Sequence, residues 1–247
     1  MKKVIALLLA LTAVFALFGC TPKTDINAKS EGVMTYAQYV DAKIDDEVVI
    51  EGYIQAKQSW WENKAVLYLA DGDGAYLAYN AACTEDEYNN NLTIGTKVQV
   101  KGFKTEYHGE VEVAEGATVK VVENGGKYIA KATDVTALLG KDELINKMNQ
   151  FVAFKGMTVE ASKDADGNDA AFLYNWNGTG SEGNDLYFKV SVNGQTYTFT
   201  VESYLCGKDT DVYKAVQALK IGDKIDLEGF LYWYDGVNPH ITSVKAA

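Results

Sequence analysis

Leu92-Thr93-Ile94-Gly95-Thr96-Lys97-Val98-Gln99-Val100-Lys101-Gly102-Phe103 returns 127 residues later as Leu219-Lys220-Ile221-Gly222-Asp223-Lys224-Ile225-Asp226-Leu227-Glu228-Gly229-Phe230. The register runs on without a gap, so Tyr107 and Gly109 answer to Tyr234 and Gly236. A second, weaker match sets Val49-Ile50-Glu51-Gly52-Tyr53 against Ala153-Phe154-Lys155-Gly156-Met157 at an offset of 104. The later copy therefore carries about 23 extra residues between its equivalent segments. Solenoid repeats recur every ~20–50 residues, so a repeat this long means two domains of one fold. Residues 34–123 form the first, 124–132 a linker and 133–247 the second.

Each copy alternates apolar and polar residues with the period of two that marks strands. In the first, Val48 to Ile54, Ala65 to Leu69, Ala75 to Tyr79, Lys97 to Phe103 and Val111 to Val122 read as five strands. Asp71-Gly72-Asp73-Gly74 is a hairpin turn between the second and third, since Gly accepts the positive φ that tight turns require. A short polar helix near Thr84 to Asn90 precedes the fourth. The second copy reads through Phe151 to Glu160, Ala170 to Asn175, Tyr187 to Val192, Thr196 to Ser203, Lys224 to Tyr232 and His240 to Val244. Its helix, near Asp211 to Leu219, is longer, and it gains an Asn/Gly loop from Asn175 to Asn184.

Five strands with a helix between the third and fourth resemble the OB-fold, a small Greek-key barrel. The residues that carry the resemblance are Gly52-Tyr53, Gly102-Phe103, Gly229-Phe230 and the Leu-x-Ile-Gly-x-Lys entry to the fourth strand. The expected class is therefore all-β with short helices: two tandem five-stranded OB-fold-like barrels. No catalytic motif comes with the resemblance, and fold alone does not fix function.

The N-terminus carries a separate signal. Met1-Lys2-Lys3 is a positive start, Val4 to Phe18 is free of charge, and Gly19-Cys20 closes the run. That length suits a signal peptide and falls short of the roughly 20 residues of a spanning helix. A small residue followed at once by Cys resembles the lipobox of bacterial lipoprotein precursors. The resemblance implies that residues 1–19 are removed, that Cys20 takes a diacylglycerol, and that the chain works at the extracytoplasmic face of the cell membrane. Residues 20–33 are polar and lack periodicity, as expected for a tether.

The chain has 23 basic residues against 34 acidic ones and a net charge of −11; every basic residue is Lys. Loss of Lys2 and Lys3 would make the mature charge two units more negative. Bidentate recognition of phosphate leans on the guanidinium fork, and an acidic surface repels a polyanion. Nucleic acid thus starts from a poor position, while a neutral or cationic partner does not. Cys83 and Cys206 fit either a disulfide or two buried thiols. His108 and His240 lack metal-ligand spacing and read as loop histidines. Neither acidic stretch, Asp71–Gly74 or Asp164–Asp169, completes a twelve-residue calcium loop; counted from Ser162, the second has Leu173 where a bidentate Glu belongs, and both read as turns joining strands. No cofactor, metal or catalytic residue is expected.

Aromatics remain: 16 Tyr, 9 Phe and 4 Trp. Neighbours on a strand face opposite ways, so Trp60-Trp61 and Tyr232-Trp233-Tyr234 each present a ring away from a barrel interior. Tyr68 and Tyr76 flank the Asp71–Gly74 turn and are expected on one face of their hairpin. In OB-folds the outer face of the second and third strands carries the ligand, often by stacking on such rings. Trp60, Trp61, Tyr68, Tyr76 and Trp233 are accordingly the expected ligand-binding residues, the alternative being that these rings pack the two domains together. The expected function is a lipid-anchored, non-enzymatic binding or scaffolding protein for a glycan, a peptide or an envelope protein. The alternative is a nucleic-acid-binding accessory for uptake or degradation of extracellular DNA.

Overall fold

Alternating burial along the strands closes two barrels. The computed structural model describes residues 25–247, so Cys20 and the apolar run before it lie outside the described residues. A six-residue helix, α1 (Tyr36–Asp41), opens the first barrel and is capped by Thr35 and Gln38 in a capping box. The strands are β1 (Glu47–Lys57), β2 (Lys64–Ala70), β3 (Ala75–Ala82), β4 (Lys97–Tyr107), β5 (Glu110–Val113) and β6 (Thr118–Val121). β1, β2 and β3 form an antiparallel meander, and β3 meets β5 in parallel at Ala78 and Val113. β5 then pairs with β4, and β4 returns to β1 from Phe103–Glu47 to Lys97–Tyr53. The order 1-2-3-5-4-1 is the closed five-stranded barrel of the OB type, with β6 continuing β5 along β4. Ile50, Leu67, Tyr76, Val98 and Val113 fill its interior.

The second barrel repeats the order. β7 (Thr133–Asp134) lies beside β8 (Phe151–Glu160), and the extra residues of this copy form β9 (Ser162–Lys163), β10 (Asp169–Ala170) and β11 (Leu173–Tyr174). β12 (Leu186–Val192), β13 (Gln195–Val201), β14 (Lys224–Phe230) and β15 (His240–Ala246) complete it, with α2 (Asp211–Gln217) between β13 and β14. β12 closes onto β8, and β13 meets β15 in parallel at Thr200 and His240. Phe154, Phe188, Phe199 and Leu227 form the core. The single strand expected from Ala170 to Asn175 is instead two two-residue pieces that pair with different partners, β10 with β9 and β11 with β12, and Asn175 ends the second at φ 57°.

The glycine shared by the repeat has a packing cause. A Cβ at Gly229 would lie 2.3 Å from the His240 carbonyl oxygen, and one at Gly102 would lie 2.7 Å from the Ala117 Cβ. Only glycine lets β4 and β14 pass so close to the strands beside them.

The tether expectation needs correction for its described part. Residues 25–33 are clamped to the first barrel: Lys29 Nζ pairs with Asp71 at 2.5 Å and donates to the Glu51 carbonyl at 2.6 Å. The buried Asp71 carboxylate supplies the reason, since it needs a cation and Lys29 provides it. The linker is pinned as well, for Tyr53 Oη donates to the Gly125 carbonyl at 2.9 Å and the Ala130 N–H to Gln55 Oε1 at 2.8 Å. Cys83 and Cys206 sit in separate barrels as buried free thiols.

Candidate ligand face

In a barrel of this type the outer face of the second and third strands is the ligand platform. In the first barrel that face is covered. Val66, Tyr68 and Leu77 pack on Phe230 of the second barrel, with the Tyr68 and Phe230 rings 4.6 Å apart. Tyr68 Oη lies 2.8 Å from His240 Nδ1, and His240 stacks on Tyr232 at 4.3 Å. Burial pushes the His240 imidazole down to about 3, so it is neutral at any physiological pH. His240 is therefore a buried seam residue and not the loop histidine its surroundings in the sequence suggest.

Tyr68 and Tyr76 do not share a face. Counting back from the turn, Ala70 pairs with Ala75, Leu69 with Tyr76 and Tyr68 with Leu77. Cross-strand partners share a face, so Tyr76 points into the barrel, where its hydroxyl donates to Asp71 Oδ2 at 2.9 Å. Asp71 Oδ1 accepts the N–H groups of Asp73 and Gly74 at 2.8 Å, which commits this acidic loop to its own turn. Trp60 packs against the first core and donates its indole N–H to the Cys83 carbonyl at 3.1 Å. Trp233 lies against the second core, its backbone N–H donating to Glu110 Oε2 at 2.9 Å across the seam. Trp61 stands out from the surface at 64 % exposure. The five sequence-derived residues are thus not brought together. Tyr68 and Trp233 join the barrels, and Tyr76 and Trp60 support the first.

The equivalent face of the second barrel is open at Lys189, Thr196 and Thr198, while Tyr187 is half-buried and Thr200 is buried beside Asn238. On β12 and β13, Leu186, Phe188, Val190, Phe199 and Val201 point inward. Tyr187, Lys189 and Ser191 face outward opposite Thr200, Thr198 and Thr196. The 161–185 insert enters this face just before Tyr187 and carries Trp176, 75 % exposed. Burial, with Asp185, Glu202 and Tyr234 near, pushes the Tyr187 hydroxyl up to about 12.

Tyr234 extends the surface onto the first barrel. Its ring stacks on His108 at 4.3 Å with planes 17° apart, and Tyr107 lies 6.0 Å away. Tyr107 and Tyr234 remain about half exposed. His108 Nδ1 meets Asp235 Oδ2 at 2.9 Å. Tyr234, His108 and Tyr107 thus form one run of rings beside Asp235, while Tyr187 and Lys189 lie on β12 with Asp185 and Glu202 near. Glu202 is itself buried, which pushes its carboxyl up to about 7. Tyr187 escaped the sequence reading because it sits between Leu186 and Phe188 and reads as one more residue of an apolar strand. Tyr107 and Tyr234 had a signal in their shared repeat position.

Among the described residues no group of three His, Cys, Asp or Glu side chains is placed to hold a metal. Burial pushes the Cys206 thiol up to about 11, away from nucleophilic use.

No family model and no curated protein matches the sequence. Solved structures resemble its chain trace at low identity. A murine DNA-binding protein bound to double-stranded DNA is 12 % identical with a TM-score of 0.37, covering 82 % of this chain and 100 % of its own. The Ifi202 HINa domain in complex with a 20-base-pair DNA is 13 % identical at a TM-score of 0.35, over 82 % and 96 %. A deletion mutant of the single-stranded DNA binding protein from Thermus aquaticus is 14 % identical at 0.24, over 81 % and 93 %. At these values the likeness carries no functional argument.

Proposed function

We propose that this protein is a ligand-binding module without chemistry of its own, held at the extracytoplasmic face of the membrane by a lipid on Cys20. Its ligand is a glycan or a peptide lying across the outer face of β12 and β13. One observation carries the reading: the first barrel's platform is consumed by the seam, whereas on the second barrel Tyr187, Lys189 and Ser191 face outward, and Tyr234, His108 and Tyr107 form a separate cluster of rings at the hairpin tips. Rings at such positions stack on flat or ring-shaped ligands. The carboxylates of Asp185 and Asp235 outnumber Lys189 there, which favours a neutral or cationic ligand.

A nucleic acid is the second reading. Tyr187 beside Lys189 on an OB-type face has the chemistry of a strand-stacking platform. The acidic charge of −11 and the absence of Arg weigh against it.

A screen of the full-length protein against glycans, basic peptides and single- and double-stranded oligonucleotides, at low and high salt, separates the readings. A glycan held nearly independently of salt supports the first. Oligonucleotide binding that collapses as salt rises supports the second.

A further inference from the structure

The path from Cys20 to the first barrel is short and ends at a fixed point. Four residues, Thr21 to Thr24, separate Cys20 from Asp25. An extended chain advances at most ~3.6 Å per residue, which keeps Cys20 within about 18 Å of Asp25. From Asp25 the backbone turns at once onto the barrel: the Ala28 N–H donates to the Asp25 carbonyl at 3.2 Å and the Asn27 N–H to Asp25 Oδ1 at 3.0 Å. Asn27 sits on the Asp71–Gly74 turn, its Oδ1 accepting the Gly72 N–H at 2.7 Å and its Nδ2 donating to Asp73 Oδ1 at 2.9 Å. Lys97 Nζ donates to the Ala28 carbonyl, and Lys29 pairs with Asp71. Lys97 and Asp71 are both buried, so peeling the strap away strands a charge.

The surface around that point belongs to the segment between the barrels. Tyr128, Ala130 and Lys131 share a cleft of 210 Å³ with Gly72 and Asp73. The same Ala130 borders a second cleft, of 330 Å³, with Ile94 and Ile129. The Tyr128 N–H donates to the Gly95 carbonyl at 3.1 Å, which sets the two isoleucines side by side. Ile129 is 66 % exposed and Ile94 43 %. Lys127 and Lys131 flank Ile129 and are exposed, and neither forms an ion pair among the described residues. Lys127 Nζ donates to the Thr93 hydroxyl at 3.1 Å, a partner that leaves its charge uncompensated. Asp25 and Asp73 are the exposed carboxylates at the start of the strap. Free isoleucines between lysines suit a bilayer interface, where apolar side chains enter the acyl boundary and ammonium groups stay with the phosphates.

On the premise of the Cys20 lipid proposed above, we propose that the protein lies against the bilayer through this patch, Ile94 and Ile129 entering the headgroup region and Lys127 and Lys131 meeting its phosphates. A free tether would leave the barrels at any orientation. The pinned strap instead holds the Lys97 end of β4 to the membrane and turns the other end away. Phe103 marks that other end: it is exposed and lies six residues along β4 from Lys97. At the ~3.3 Å rise of a strand the separation is about 20 Å.

The test is the full-length lipidated protein in vesicles of phosphatidylcholine and phosphatidylglycerol in equal parts, carrying a fluorescent label on Ile129→Cys, Lys131→Cys or Phe103→Cys. Cys83 and Cys206 are buried, which leaves the introduced thiol to take the label. Quenching by a nitroxide on the lipid headgroup should be severalfold stronger at positions 129 and 131 than at 103. Position 131 reports on the same surface should the change at 129 disturb the fold. Mass spectrometry of the same samples reads the lipid on Cys20. Equal quenching at all three positions, or stronger quenching at 103, with Cys20 lipidated would overturn the docking surface and leave the anchor standing. An unlipidated Cys20 would overturn both.

Discussion

His108 and Asp235 hold equivalent positions in the two copies, 127 residues apart, and their side chains meet at 2.9 Å across the seam. Both take the same left-handed turn, each at φ 52° and each followed by a glycine, Gly109 and Gly236, also at positive φ. The Asp235 N–H donates to the His108 carbonyl at 2.7 Å, and the preceding residues, Tyr107 and Tyr234, bring their rings within 6.0 Å. The repeat thus joins its own two copies through corresponding hairpin tips. That docking covers the outer face of one barrel and leaves the other's free.

The seam should therefore be a stability determinant. Tyr68→Ala is expected to cost ~3–5 kcal/mol, the range for truncating a buried aromatic ring. Tyr68→Phe keeps the packing against Phe230 but strands the buried His240 ring, at ~1–3 kcal/mol. Urea unfolding of both variants checks this, and losses below ~1 kcal/mol for both would mean that the barrels stand apart in solution.

Glu110 should make stability fall as pH rises from about 4.5 to about 8. Glu110 has its folded-state value raised to about 8 from the ordinary 4.5. The folded chain then holds a proton that the unfolded chain has already released, so stability declines from above pH 4.5 up to about pH 8. The slope approaches ~1.4 kcal/mol per pH unit for a fully protonated carboxyl. Glu112, raised to about 7, adds to the decline up to its own value. His240 acts on the acid side: lowered to about 3, it makes stability rise with pH between about 3 and 6.5. Glu110→Gln should remove its decline between about pH 4.5 and 8, which steepens the net rise below 6.5 where His240 acts in the opposite sense, as read from melting temperatures between pH 4 and 9.

Lys29→Ala should destabilise the first barrel by ~3–5 kcal/mol, because it leaves the buried Asp71 carboxylate without its cation. Lys64→Ala, at the exposed pair with Glu115, serves as the control and should change the melting temperature little.

Cys20→Ser should leave the protein without a lipid, so that it partitions into the aqueous phase of a detergent separation. Detergent partition equal to the wild type, with an unmodified Cys20 by mass spectrometry, would remove the anchor from the functional proposal.

Both barrels were legible in the chain because their determinants are local. Period-two alternation sets each strand, Asp71–Gly74 sets a hairpin, and Gly102 and Gly229 mark the close strand crossings. The ligand face was not legible, because which outer face stays open depends on docking between residues as far apart as Tyr68 and His240, 172 positions. Phe103 and Phe230 show the difficulty: they share a repeat position, yet Phe103 is exposed and Phe230 is buried in the seam. The assignment of Tyr68 and Tyr76 to one face failed on a register shift of one residue, which moves a side chain to the opposite side of a strand.

The central claim is that the open face of β12 and β13 holds a neutral or cationic ligand on Tyr187 and Tyr234. The direct measurement is the affinity of the best glycan or peptide from the screen for wild type, Tyr187→Ala and Tyr234→Ala, at low and high salt, beside their melting temperatures. Stacking contributes ~1–3 kcal/mol per ring, so each variant should bind roughly five-fold or more weakly with its fold retained. Unchanged affinity in both folded variants, or a ligand set reduced to oligonucleotides released by salt, would contradict it.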